Sequence, residues 1–225
     1  QESGAFYFFI FLQKLYPSII CYQWLLFTEP LIDTIVIISY NNYNYKIFKE
    51  ARIMSTFTAT DINTKYINPY RMIGKEWFAL TAEKDGKVNT MTAGWGGLGV
   101  MWGKNVAFVV VRDSRYTKEF IDSSDSFSLT FFENTPDNKK MLSYIGSTSG
   151  RDEDKIANAN LTIDYHEGTP YINEGNMVYI CKKMYKAPMP KEYFTNMGID
   201  SAWYKNGDYH NLYIGEITAL LTKKS

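Results

Sequence analysis

Two arginines and two hydroxyls stand where an apolar run turns amphipathic. In "AFVVVRDSRYTKEFI", residues 107–121, the first half has the pattern of a buried strand and the second that of a helix. Arg112, Ser114, Arg115, Tyr116 and Thr117 fall at the junction. A helix N-terminus presents unpaired N–H groups and a partial positive charge, and arginine pairs with phosphate through two parallel hydrogen bonds. The group reads as a phosphate cradle at the end of a strand. From spacing alone a capped helix with solvated arginines is the slightly stronger reading, and Asp113 counts against the cradle, because a carboxylate repels phosphate unless it points away.

A second stretch, "NTMTAGWGGLGVMWG" (89–103), carries Thr90, Thr92, Ala93 and Gly94, small residues that let a flat ligand approach the backbone, followed by Trp95, which could pack on it. It lacks the dinucleotide-binding pattern, since no helix follows, and a glycine-rich strand and loop is the plainer account. A third, "GSTSGRDEDK" (146–155), reads as a loop with a helix cap and contains Ser149 and Arg151. His166 and His210 have no spacing to cysteines or acids that suits a metal, and no nucleophile elbow, P-loop or paired-carboxylate motif is present.

The elements that must hold these stretches are mostly strands. Asp85–Gly86 between two strand-like runs predicts a two-residue hairpin, because a type I′ turn needs positive φ at both central positions. Residues 105–111, 125–132, 177–185 and 210–222 read as further strands. In the last, Leu212 and Ile214 share one parity and Ile217, Ala219 and Leu221 the other, so a bulge or bend is expected at Gly215. Asn206–Gly207 makes a turn before it. Three short helices are expected: one capped by Asp113 or Ser114 and running to about Ser123, one from Thr135–Pro136 to about Ile145, and one within 149–160. The pattern is that of an antiparallel barrel decorated by helices.

The chain of 225 residues has 24 basic and 24 acidic side chains, a balance that gives no basic surplus for nucleic acid or anionic membrane. Its two cysteines, Cys21 and Cys181, are far apart, which suits a reducing compartment and points to a cytoplasmic protein. Residues 1–53 differ from the rest: they are rich in Phe, Ile, Tyr and Asn and hold one of the 15 glycines. Their apolar runs are broken at Gln13–Lys14, Pro17, Glu29–Pro30 and Asp33, short of the roughly 18 residues a spanning helix needs. A signal peptide would want a basic start and a small-x-small cleavage site, which are missing. The composition resembles translated AT-rich noncoding sequence, and the expectation is that Met54 is the start and that 1–53 is a non-native or upstream extension outside the fold.

Taken together, "NTMTAGW", "VVVRDSRYTKEFI", "GSTSGRDEDKI" and "HNLYIGEI" resemble the flavin reductase-like proteins of the FMN-binding split-barrel fold, flavoredoxin type included. The resemblance covers about residues 70–222 and makes 54–225 the FMN-binding domain. It implies a mainly β fold with short helices, a six-stranded antiparallel split barrel, and a homodimer with FMN near the subunit interface. It implies that Thr90, Met91, Thr92, Ala93, Gly94 and Trp95 line the isoalloxazine, and that Arg112, Ser114, Arg115, Tyr116 and Thr117 hold the phosphate. Ser149 and Arg151 would lie near the flavin, with His210 a further candidate. Many relatives have Pro at the position of Asp113, which shifts the expected phosphate grip toward Arg115 and Thr117. The implied activity is hydride transfer from NADH or NADPH to flavin, with electrons passed to a small-molecule or protein acceptor and no catalytic acid or base required of the protein. An FMN-binding electron carrier without NAD(P)H activity is the alternative.

Overall fold

In a computed structural model, residues 22–29, 32–41, 44–51 and 56–223 are described. The chain divides into two units, residues 1–55 and 56–225. In the first, β1 (Tyr22–Glu29), β2 (Ile32–Asn41) and β3 (Asn44–Ala51) form an antiparallel meander, as runs of Ile, Val, Tyr and Phe favour. Met54, the expected start, and Cys21 lie outside the described residues.

The second unit is built on one antiparallel sheet. Its strands are β4 (Phe57–Thr60), β5 (Phe78–Lys84), β6 (Lys87–Ala93), β7 (Gly96–Met101), β8 (Lys104–Arg112), β9 (Ser126–Phe131), β12 (Met177–Pro188) and β13 (His210–Lys223). The order is β6-β5-β9-β12-β13-β8-β7, with β4 pairing β13. A separate hairpin, β10 (Ile163–His166) and β11 (Thr169–Ile172), stands beside it. The helices are α1 (Pro69–Arg71), α2 (Tyr116–Ser123), α3 (Pro136–Ser147), α4 (Lys155–Asn158) and α5 (Met197–Trp203).

The two ends of that order, β6 and β7, are joined in the chain by Gly94 and Trp95 alone. The three steps from Ala93 to Gly96 span at most about 11 Å, so the sheet must curl until its edges nearly meet. The result is a barrel split along a seam at Gly94–Trp95. Side chains alternate across the strands to fill it: Phe78, Leu80, Met91, Val109, Phe127, Tyr179 and Tyr213 pack in one cluster with Phe120 of α2. The outer face of β5 is covered as well, where Ala79 meets Leu142 and Ile145 of α3 with Phe132, Leu161 and Ile172.

Eight strands form this sheet rather than the expected six. β7, sequence "GGLGVM", has little intrinsic strand preference and is held by its ladder to β8, from Gly96↔Val109 to Met101↔Lys104. The Asp85–Gly86 turn has φ of 51° and 75°, the I′ pattern. Helix α2 begins later than expected: Arg115 is its N-cap, without a side-chain cap bond, and neither Asp113 nor Ser114 fills that role. Thr135 caps α3 by accepting from the Asn138 N–H, with Pro136 in the first turn. The helix expected within 149–160 is one turn, α4, capped by Asp154.

Candidate functional site

The seam is where the sequence's small-residue stretch lands. A cleft of about 180 Å³ is lined by Met91, Thr92, Ala93, Gly94 and Trp95 on one side and by Val110, Arg112, Arg115 and His210 on the other. Two further clefts, of about 350 and 450 Å³, adjoin it at Gly94 and Trp95 and extend to Trp77 and Gly146, and to Tyr70 and Phe108. Strand β6 supplies the first wall because its backbone is pinned from behind: Thr90 is fully buried and its hydroxyl exchanges a bond with Thr81 (2.9 Å) and reaches Leu80 O. Thr90 therefore stands behind the wall rather than on it. The Thr92 hydroxyl donates to Leu142 O, fixing α3 against the same strand. Trp95 is 40% exposed, its ring tilted on His210 at 5.0 Å and edge-on to Trp203 at 4.9 Å.

The junction after β8 divides the expected phosphate residues into two groups. Arg112 donates to Asp208 O (3.0 Å) and Trp203 O (3.1 Å), lies 3.8 Å from the Asp208 carboxylate and packs on the Tyr204 ring. Ser114 gives its N–H (3.1 Å) and hydroxyl (2.7 Å) to the same carboxylate. Asp113 accepts from Asn211 and pairs with Lys118, turned to the far side. Arg112 and Ser114, expected to hold phosphate, are thus engaged with the chain itself. The physical reason is Asp208, an anion supplied by the protein. Arg115 is different: exposed, bonded to Gly146 O (3.0 Å), and on the wall of the cleft at the start of α2. The N–H groups of Tyr116 and Thr117 are in the first turn, where no helical partner exists. The Thr117 side chain is buried and accepts from Asn89, and the Tyr116 ring packs on Phe120 and beneath Arg151.

Ser149 and Arg151 lie off this cleft. Ser149 Oγ accepts from the Arg151 N–H, and Arg151 pairs with Glu119 at 2.5 Å. Arg151 lines a separate depression with Lys87, Asn89 and Lys155. The loop is brought near the junction nonetheless, since Arg151 reaches Ser114 O at 3.5 Å.

Charge in the cleft is positive. His210 is 8% exposed and bonds through Nδ1 to the Tyr204 hydroxyl at 2.8 Å. Burial, with Arg112 and Arg115 adding repulsion, lowers its pKa to about 4, so the imidazole is neutral at pH 7. Lys155, buried beside the separate depression, donates to Ile145 O and Thr148 O at the end of α3. Burial and the nearby Arg115 bring its pKa down to about 8. Burial pushes the Cys181 thiol up, leaving an inert core residue. Among the described residues no group of His, Cys, Asp and Glu is arranged to hold a metal. Asp208, Trp203 and Tyr204 were not singled out from the sequence. Their one local signal was the Asn206–Gly207 turn, which places Asp208 beside β13.

Comparison with known proteins agrees with this architecture. The model of the flavin reductase like domain matches residues 71–225. Among solved structures, a flavoredoxin from Methanosarcina acetivorans is 25% identical, with 74% of this chain and 76% of that one covered and a TM-score of 0.53. An FMN-binding domain of a flavin reductase-like enzyme from Shewanella baltica (19% identity, 74% and 77% covered, TM-score 0.53) shares the fold. So does an FMN-binding protein from Thermus thermophilus (18% identity, 75% and 83% covered, TM-score 0.52). No curated protein matches the sequence. With more than half its residues matched by the domain model and the split barrel in place, the chain belongs to the flavin reductase-like domain family.

Proposed function

We propose that the chain binds FMN in the seam cleft and works as an NAD(P)H-dependent flavin oxidoreductase. The observation that carries this reading is the convergence on one cleft of a small-residue wall, an exposed indole and, at a helix start, an arginine with a single carbonyl partner. A flat ring system needs the first two and a terminal phosphate the third. The residues fit the group in sign as well: Arg115 and the first N–H groups of α2 are donors, and Asp113 faces away. When bound, flavin accepts hydride from a nicotinamide and passes electrons on. The protein's part is to orient the rings along Met91–Trp95, hold the phosphate at Arg115, and keep a neutral His210 beside them as a hydrogen-bonding group rather than a cation.

The cleft of about 180 Å³ is smaller than the roughly 300–1,000 Å³ that encloses a ligand of this kind. A second copy of the chain would complete it. Val100, Met101 and Phe108 on β7 and β8, Trp102 in the turn between them, and Met184 and Tyr185 on β12 are exposed apolar side chains that suit a homodimer contact. The likeness to a flavoredoxin at 25% identity favours a second reading, an FMN-binding electron carrier that does not react with nicotinamides.

An anaerobic visible spectrum of the full chain with FMN, before and after NADH or NADPH, tests both. Flavin that co-elutes and bleaches within seconds is the expected result. Flavin that co-elutes but stays oxidised selects the carrier, and flavin that separates from the protein on gel filtration removes both readings.

A further inference from the structure

Residues 189–209, between β12 and β13, form a strap with its own internal order. Tyr204 and Tyr209 stack at 4.8 Å, Phe194 packs on Tyr204, and Asp200 accepts from the Tyr209 hydroxyl and pairs with Lys191. The strap meets the cleft through Trp203, edge-on to Trp95, and through Tyr204, bonded to His210. Trp203 is 55% exposed, so burial does not hold it there.

What does hold it is the junction after β8. The guanidinium of Arg112 bonds two strap carbonyls, of Trp203 and Asp208, and the Asp113 N–H donates to Tyr209 O. Both donors of Ser114 go to the Asp208 carboxylate. Asp208 is the only strap side chain that receives these bonds among the described residues, and charge-assisted bonds are the stronger class. We infer that Asp208 is a positioning residue: clasped by Ser114 and Arg112, it fixes residues 203–209 so that Trp203 stands against Trp95 and restricts which second reactant reaches the cleft. The inference rests on the flavin reading for that last clause; the clasp itself does not.

The test uses Asp208→Ala, Asp208→Asn and Trp203→Ala in the full chain. Asn can keep both contacts to Ser114, accepting from its N–H and donating to its hydroxyl, and serves as the conservative rescue. In Asp208→Ala, amide hydrogen exchange over 203–209 should speed up by about tenfold or more, the scale of one lost charge-assisted bond. Exchange in the barrel strands should not change, and the near-ultraviolet dichroism of the Trp95–Trp203 pair should fall. Asp208→Asn should return most of both signals. Neither readout needs flavin, so they decide the clasp even if the flavin reading fails. With flavin bound, KM for the nicotinamide should move by roughly fivefold or more in Asp208→Ala and Trp203→Ala while kcat and the FMN Kd stay within about threefold, the pattern of altered access rather than altered chemistry. Unchanged exchange and dichroism in Asp208→Ala would overturn the proposal. So would a gain in FMN affinity without a matching gain for riboflavin, which would make the carboxylate a plug in the phosphate position instead of a clasp.

Discussion

Arg112 and Arg115 stand three residues apart at one strand–helix junction, and their surroundings give them different roles. Arg112 is consumed by carbonyls and a carboxylate of the strap, whereas Arg115 has one carbonyl partner and faces the cleft. Arg115→Ala should therefore weaken FMN binding by about 1.5–3 kcal/mol, the range of a charge-assisted bond, or roughly 10- to 150-fold. Riboflavin, which lacks the phosphate, should bind both proteins alike, and fluorescence titration reads both constants. His210 makes a pH prediction. Its imidazole takes a proton near pH 6.5 when unfolded and only near 4 when folded, so the unfolded chain binds more protons between those values. Stability should be unaffected by this group above 6.5 and fall as pH drops from 6.5 toward 4, by at most about 3.5 kcal/mol at 1.4 kcal/mol per unit. Urea midpoints across that window should drop less steeply in His210→Asn than in wild type. An equal slope in the two proteins would assign the loss to other groups.

At the scale of elements, the sequence was most readable where a local rule has one structural answer. Asp85–Gly86 could only be a tight hairpin turn, and Thr135–Pro136 only a helix start. The parity slip in β13 was also legible, but its form was not. Two bulges flank Gly215: Thr218 is the extra residue on β13, and Met184 on β12 opposite the 214–215 step. Gly215 itself has another task. A Cβ there would sit 2.8 Å from the Phe127 ring and 2.9 Å from Cys181 Cβ, so the missing side chain is what lets two core residues close over the strand. Gly215→Ala should cost about 1–3 kcal/mol, the range for overpacking, seen as a lower thermal or urea midpoint with flavin affinity retained. Elements held by tertiary partners were not legible. β7 has a strand's ladder without a strand's composition, and the strap's fixation depends on Asp208 meeting Ser114, 94 residues away in sequence. The same distance hid the fate of Arg112 and Ser114: both were visible as donors, but the anion that takes them was not visible as their neighbour.

At the scale of the molecule, the seam and the strap meet on one face of the barrel, so a variant that loosens either acts on the same cleft. The sheet order carries a consequence for how the protein is made. β13 sits in the middle of the sheet, between β12 and β8 and also against β4, yet each of those partners precedes it in the chain. During synthesis β8 must wait for about 100 residues with one edge unpaired, and the barrel cannot close until β13 leaves the ribosome. Such non-local pairing is slow and exposes edges to other chains. Ribosome-stalled chains that end before residue 210 should remain fully protease-sensitive over 78–188, and chains extended past residue 223 by enough to clear the exit tunnel should become resistant in one step. Protection that builds up strand by strand before 210 would mean that the earlier hairpins hold without their centre. On the expected course this domain has no folded half: its earlier strands keep open edges until β13 is available, and its assembly is a single event.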